Sequence, residues 1–157
     1  MIRNADLNDL DIIMDMIDNG RKHIHAYNIP QWINGYPSRQ LISEDINNSR
    51  AYVYVEDNEI LAYYVCINHD PCYDVIEGEW IDDSDYVAIH RACTKYFDRG
   101  LGSKLFDELK KIYSHIRIDT HEGNISMNKC LLKNEFKYCG VIHIDDGSPR
   151  NAYEYIK

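Results

Sequence analysis

Apolar residues in the first part of the chain recur at helical spacing: Leu7, Leu10, Ile13, Met14 and Ile17. This pattern predicts an amphipathic helix, with Asp6 placed to cap it. Met1 to Asn4 reads as a short strand ahead of it, and Gly20 is expected to end or kink the helix. Residues 21–37 continue as helix or loop and contain Pro30, Trp32 and Tyr36-Pro37. Ser38 is placed to cap a second helix whose inward positions are Leu41, Ile42 and Ile46. The pattern then changes to strand. Ala51 to Val55 and Ile60 to Asn68 flank a hairpin turn at Glu56-Asp57-Asn58-Glu59. Residues 69–84 are acidic and aperiodic, a loop of the length at which connections in small domains are often functional. A strand at 86–94, a helix at 103–113 and a strand at 116–120 follow. Asn124 or Ser126 opens another helix with Met127, Cys130 and Leu131 on its buried side. Phe136 to Ile144 and Ala152 to Ile156 are the last strands.

The resulting order is β-α-α-β-β-β-α-β-α-β-β. Hairpins in the first half and a strand-helix-strand crossover in the second imply an α/β chain with a mixed sheet and packed helices. The length of 157 residues fits a single domain, 1–157. No apolar run approaches the roughly 20 residues that span a bilayer. The first ten residues lack a continuous apolar signal segment, so neither membrane insertion nor export is expected. Five cysteines without CxxC spacing read as reduced core residues of a cytoplasmic protein. A formal charge of −9 argues against nucleic acid as a partner and is compatible with an amine substrate. His23 and His25 lie two apart on a helix and diverge, so no metal site is expected.

Asp98-Arg99-Gly100-Leu101-Gly102-Ser103 stands between a strand-like and a helix-like run. A glycine turn that opens a helix presents free amides to an anion and lets the backbone approach it. Amides from about Arg99 to Ser103 could therefore cradle a phosphate. A Walker-type site is disfavoured, because Ser103 precedes Lys104, the reverse of the GK[ST] order.

Phe97-Asp98-Arg99-Gly100-Leu101-Gly102 resembles the [QR]-x-x-G-x-[GA] signature of the Gcn5-related N-acetyltransferases (GNAT). Asn124 through Phe136 is similar to that family's Asn-led helix and following turn. Ile118 through Met127, Tyr138-Cys139-Gly140, Asp146-Gly147-Ser148, Gln31-Trp32, Tyr36-Pro37 and Ile89-His90-Arg91 resemble a bacterial subgroup whose substrates are mostly unassigned. The resemblance implies a mostly antiparallel sheet of about six to seven strands with a splayed parallel pair and about four helices. It also implies acetyl-coenzyme A as cofactor, its pyrophosphate on the glycine turn and its pantetheine arm between strands 86–94 and 116–120. The cofactor-binding residues so implied are Ala92, Cys93, Thr94, Asp98, Arg99, Gly100, Leu101, Gly102, Ser103, Asn124 and Met127. Trp32 and Tyr36 would wall the acceptor pocket, or else pack locally. Lys95, Arg99, Lys104, Lys129 and Lys133 supply positive charge near the phosphates.

Four departures from the family pattern stand out. Phe97 replaces the signature's Arg or Gln, and the link from Thr94 to the glycines is about two residues short. Leu131 occupies the position of the Tyr that protonates the departing thiolate, and Glu135 replaces a Gly. The implied reaction is direct transfer of acetyl to a primary amine of a small molecule or peptide in a ternary complex. Cys93, beside the cofactor, leaves a ping-pong route open. The alternative is a non-catalytic acyl-coenzyme A sensor.

Candidates for the base are His90, His121 and Glu79. Imidazole titrates in the useful range, and a carboxylate can hold an amine directly or through water. Against these stand structural readings: His90 packed on the sheet, His121 bonding at a helix start, Glu79 a solvated charge, and Asp119 bonding backbone amides. An exposed final strand would permit a homodimer.

Overall fold

The computed structural model describes residues 1–157. Its elements are β1 (Ile2–Asn4), α1 (Leu10–Ala26), α2 (Arg39–Asn47), β2 (Ala51–Glu56), β3 (Glu59–Ile67), β4 (Glu77–Gly78), β5 (Val87–Thr94), α3 (Leu101–Ile112), β6 (His115–Thr120), α4 (Ile125–Lys133), β7 (Lys137–His143) and β8 (Pro149–Ile156). The eight strands form one sheet in the order β1-β2-β3-β5-β6-β8-β7-β4. Every neighbouring pair is antiparallel except β5 and β6. No helix is long and apolar enough to cross a membrane.

Two apolar layers hold the helices on opposite faces. Ile13, Met16 and Ile17 of α1 and Ile42 and Ile46 of α2 pack on Val53, Tyr63, Val65 and Cys93. On the other face Leu105, Phe106 and Leu109 of α3 and Leu131 of α4 pack on Tyr64, Ile89, Ile116, Ile118 and Tyr153. The period-3.6 stripe of α1 and the period-2 strands thus meet across an apolar layer, but the stripe includes Met16, and the expected Leu7 lies exposed in a 3₁₀ turn ahead of α1.

Three expectations need correction. Gly20 does not end α1, which runs on to Ala26. A Cβ there would meet the Trp32 ring at 3.2 Å, so this glycine serves close packing of that ring. The acidic segment is not all loop, because Glu77–Gly78 forms a strand on β7 and raises the strand count to eight. Gly78 and Gly140 face each other with φ of +137° and +142°. A Cβ on Gly78 would lie 2.2 Å from the Cys139 carbonyl oxygen, so only glycine allows this pairing. Finally, the last strand is not exposed at an edge. β8 lies between β6 and β7 and the sheet's edges are β1 and β4, so the ground for expecting a dimer through it is gone.

Candidate active site

The parallel pair β5–β6 is joined only at Val87–Ile116 and Ala88–Arg117. Beyond Ala88 the two strands part. β5 also carries a bulge: Val65 pairs with His90 and Tyr63 with Cys93, and Arg91 adopts φ +51°. The extra residue places both His90 and Arg91 on the α1–α2 face and reverses the alternation after them. Cys93 therefore faces α1, whereas Ala92 packs toward α3 and α4.

One cleft, of about 270 Å³, lies against the N-terminus of α3. Ala92, Cys93, Thr94, Asp98, Gly100, Leu101, Gly102, Ser103, Asn124 and Met127 line it, together with Phe97 and Cys130. Gly100 is the N-cap of α3 with φ +70°, and no side chain caps the helix. The amides of the first turn are left for an external acceptor, the condition for an anion site. The short link before it is closed by Thr94, whose hydroxyl donates to the Tyr96 carbonyl at 3.0 Å. Phe97 stacks on His23 at 4.1 Å. Arg99 is exposed and lies over the Tyr96 ring at 4.3 Å, outside this cleft. Lys95 and Lys104 are tied to Glu59 and Glu56. Their charge is thus partly neutralised locally.

A second cleft, of about 650 Å³, opens on the α1–α2 face. Trp32 and Tyr36 line it, with Asp70, His90, Arg91, Asp119, Asp145, Asp146 and Arg150. Arg91 clamps the buried Asp45 of α2 through two bonds of 2.9 and 3.0 Å and donates to the Tyr36 hydroxyl at 3.1 Å. That clamp fixes the Tyr36 wall. His90 Nε2 lies 2.8 Å from Asp70 Oδ2, but off the line a good hydrogen bond needs, so the nitrogen has a carboxylate neighbour and no aligned partner. Burial raises the Asp70 carboxyl, but His90 and the Cys72 amide outweigh it and bring Asp70 below its ordinary value. Asp119 accepts from the Tyr73 hydroxyl at 2.6 Å. Burial holds its carboxyl above the usual range, only partly offset by the charge of His90 and the Tyr73 bond. Thr120 lines the same cleft, its hydroxyl buried without a partner.

Of the three candidates for the base, only His90 lies in the cleft. His121 caps the turn before α4, its Nδ1 accepting from the Gly123 amide at 2.9 Å, and burial lowers its basicity. Glu79 is exposed beside the β4–β7 edge, where its amide bonds the Cys139 carbonyl, and it does not line this cleft. Asp119 bonds a tyrosine hydroxyl rather than backbone amides. Sequence reasoning missed Asp70 and Arg150, which lie far from His90 along the chain and carry no local motif. Leu131 is fully buried under α3 and reaches neither cleft.

Ile24, Trp32, Ala92, Asn124 and Met127 line both clefts, which therefore meet at the parted strands. Asn124 caps α4, accepting from the Met127 amide at 3.2 Å, and its side-chain NH₂ approaches Gln31 Oε1 at 3.4 Å. An anion-receptive helix start, a gap between parallel strands and a pocket of charged side chains beyond it thus lie end to end in this α/β fold.

The likeness to solved structures agrees. An acetyltransferase of the GNAT family from Streptococcus agalactiae superposes with a TM-score of 0.93 at 36% identity, over 100% of this chain and 95% of that one. A GNAT-family acetyltransferase from Bacillus cereus gives 0.66 at 21% identity, over 100% and 96%. The aminoglycoside acetyltransferase AAC(6')-Ib, in complex with coenzyme A and kanamycin, gives 0.70 at 17% identity, over 100% and 94%. No family model and no curated protein sequence matches the chain. The chain belongs to the GNAT family of acetyltransferases.

Proposed function

We propose that residues 1–157 act as one acetyl-coenzyme A-dependent N-acetyltransferase unit, moving acetyl to a primary amine by direct transfer in a ternary complex. The observation that carries this reading is the junction of the two clefts at Ala92, Asn124 and Met127. One cleft offers free amides to a pyrophosphate and the other offers His90 to an amine. Coenzyme A bound to distant homologues of this fold, such as AAC(6')-Ib, supports the assignment of the cofactor.

Acetyl-coenzyme A supplies an activated thioester. The amides of Leu101, Gly102 and Ser103 hold its phosphates, and the free edge of β5 from Ala92 to Thr94 hydrogen-bonds its arm. Trp32 and Tyr36 confine the amine. His90 removes one proton from the ammonium, and Asp70 stabilises the imidazolium that forms. The amine's second proton is the one the departing thiolate needs, so a separate acid at the Leu131 position is not required. Cys93 plays no covalent part: its thiol faces α1, and burial pushes its pKa up to about 12. Five unpaired cysteines fit a reducing, cytoplasmic setting.

Thermal unfolding with and without acetyl-coenzyme A tests the reading. Ligand at 100 times its Kd adds about 2.7 kcal/mol, or roughly 5–11 °C for a chain of this size. The shift should vanish in a Gly100→Asp, Gly102→Asp variant, and thiol release in the presence of amines should follow. An unshifted melting point for the folded protein at millimolar ligand would overturn it.

A further inference from the structure

Arg150 is the buried arginine without an anionic partner. It is 8% exposed and lines the acceptor cleft. Its one hydrogen bond, at 2.9 Å, goes to the carbonyl of the preceding Pro149. The other buried or half-buried arginines of the sheet are all neutralised. Arg117 is held by Glu154 at 2.7 Å and lies 4.2 Å from both Trp80 and Tyr86, and Arg91 is held by Asp45. A buried guanidinium is costly unless an anion answers it.

Carboxylates are close, yet each is turned to another donor. Asp119 takes the Tyr73 hydroxyl, Asp146 takes the Ser148 amide at 2.8 Å, and Asp145 takes the Cys72 thiol at 3.4 Å. Asp70 takes the Cys72 amide at 2.9 Å and sits against His90. None of the four forms an ion pair with Arg150, although its charge acts on Asp119 and Asp146.

Strand register sets where this charge stands. Asp119 pairs with Ala152 across β6–β8, and Arg150 lies two residues from Ala152 on β8. Arg150 and Asp119 therefore share a sheet face. His90 lies two residues beyond Ala88, whose partner Arg117 is two residues before Asp119, so His90 shares that face too. His90 on β5 and Arg150 on β8 are thus separated by one strand, with backbones roughly 10 Å apart at the usual separation. Both line one cleft of about 650 Å³, which has room for a molecule of amino-acid size or somewhat longer.

We propose that Arg150 determines acceptor specificity by binding a carboxylate on the amine substrate, so that the acceptor class is the small amino carboxylates. The planar fork of a guanidinium matches a carboxylate bidentately. With the carboxylate seated on Arg150, the amino group is directed to His90. This inference rests on the acetyl-transfer reading above.

The test compares matched acceptors with and without the carboxylate. The probes are the α-amino acids, β-alanine, 4-aminobutyrate and 5-aminovalerate, each beside the amine that lacks its carboxyl group. Thiol release from acetyl-coenzyme A gives kcat/KM, and calorimetry gives the Kd of coenzyme A. The expected result is a preference of about tenfold or more for carboxylate-bearing acceptors, the range of a hydrogen bond to a charged group. Arg150→Met should erase that preference while the Kd of coenzyme A stays unchanged. Arg150→Lys, which keeps the charge and loses the fork, should retain part of it and serves if the Met variant fails to fold. Equal or better transfer to the carboxylate-free amines, a preference that survives in Arg150→Met, or no transfer to any amino carboxylate by protein that binds coenzyme A would overturn the inference alone. Failure to bind coenzyme A would take down the acetyl-transfer reading and the inference with it.

Discussion

The two clefts that meet at the parted strands are built from different materials. The one at α3 is made of backbone: a left-handed Gly100, the first-turn amides of a helix and the unpaired edge of β5. The one on the α1–α2 face is made of side chains brought from five places in the chain: Asp45 behind Arg91, and Asp70, His90, Asp119 and Arg150. A backbone site needs only that the glycines and the helix start persist, whatever side chain stands at Phe97. A side-chain site depends on register and packing, and it can change specificity while its neighbour keeps the same ligand.

Variants should separate the two clefts. The largest effect is expected at His90. His90→Ala should lower kcat by about 10²- to 10⁴-fold, the usual worth of a positioned base, and leave the Kd of coenzyme A unchanged. A proportional loss of coenzyme A binding would instead merge the clefts into one unit. Next is Glu154, fully buried beneath the acidic segment, where it accepts from the Ile81 amide at 2.6 Å and holds both His115 and Arg117. Removing one member of such a buried cluster costs about 3–5 kcal/mol. Urea denaturation of Glu154→Ala should show that loss. Acceptor KM should rise as well, since this segment carries Asp70, while coenzyme A affinity is spared.

Gly102→Asp probes the other cleft. A Cβ there meets Cys130 Sγ at 3.1 Å, and the new carboxylate stands among the free amides. Coenzyme A should lose its stabilising shift, about 2.7 kcal/mol at 100 times the wild-type Kd, with the amine pocket intact.

The smallest effect is a pH dependence at Asp119. Burial raises its folded-state pKa, so folding favours its protonated form. The stability this contributes is present below the unfolded value near 3.9 and is lost as pH rises through the raised folded value. Asp119→Asn removes that dependence. Its stability relative to wild type, read by denaturant titration, should therefore increase from pH 4 to pH 7. A flat difference would show that Asp119 pays no burial penalty.

What could be read from the sequence follows the same division. The glycine turn, the α1 stripe and the β2–β3 hairpin are set by near neighbours, and their residues show them. Asp57 and Asn58 even take the positive φ that such a two-residue hairpin turn requires. Gly20 misled because its reason, the Trp32 ring, lies twelve residues on and across a helix face. The β4 strand was invisible because Gly78 pairs with Gly140, a contact that only the folded sheet creates. The bulge at Arg91 was invisible too, since one unpaired residue leaves no trace in alternation. Without it the side of Cys93 cannot be assigned. The acidic segment holds both Glu79 and Asp70, and only tertiary packing tells the exposed carboxylate from the one beside His90.

One ligand should run from the α3 amides through the gap between β5 and β6 to His90. A crystal structure of the protein with coenzyme A tests it most directly. The account predicts pyrophosphate oxygens within hydrogen-bond distance of the Leu101, Gly102 and Ser103 amides, and a thiol beside Ala92 and Asn124 facing His90. Coenzyme A bound outside that gap, or with its thiol directed away from the His90 cleft, would contradict it.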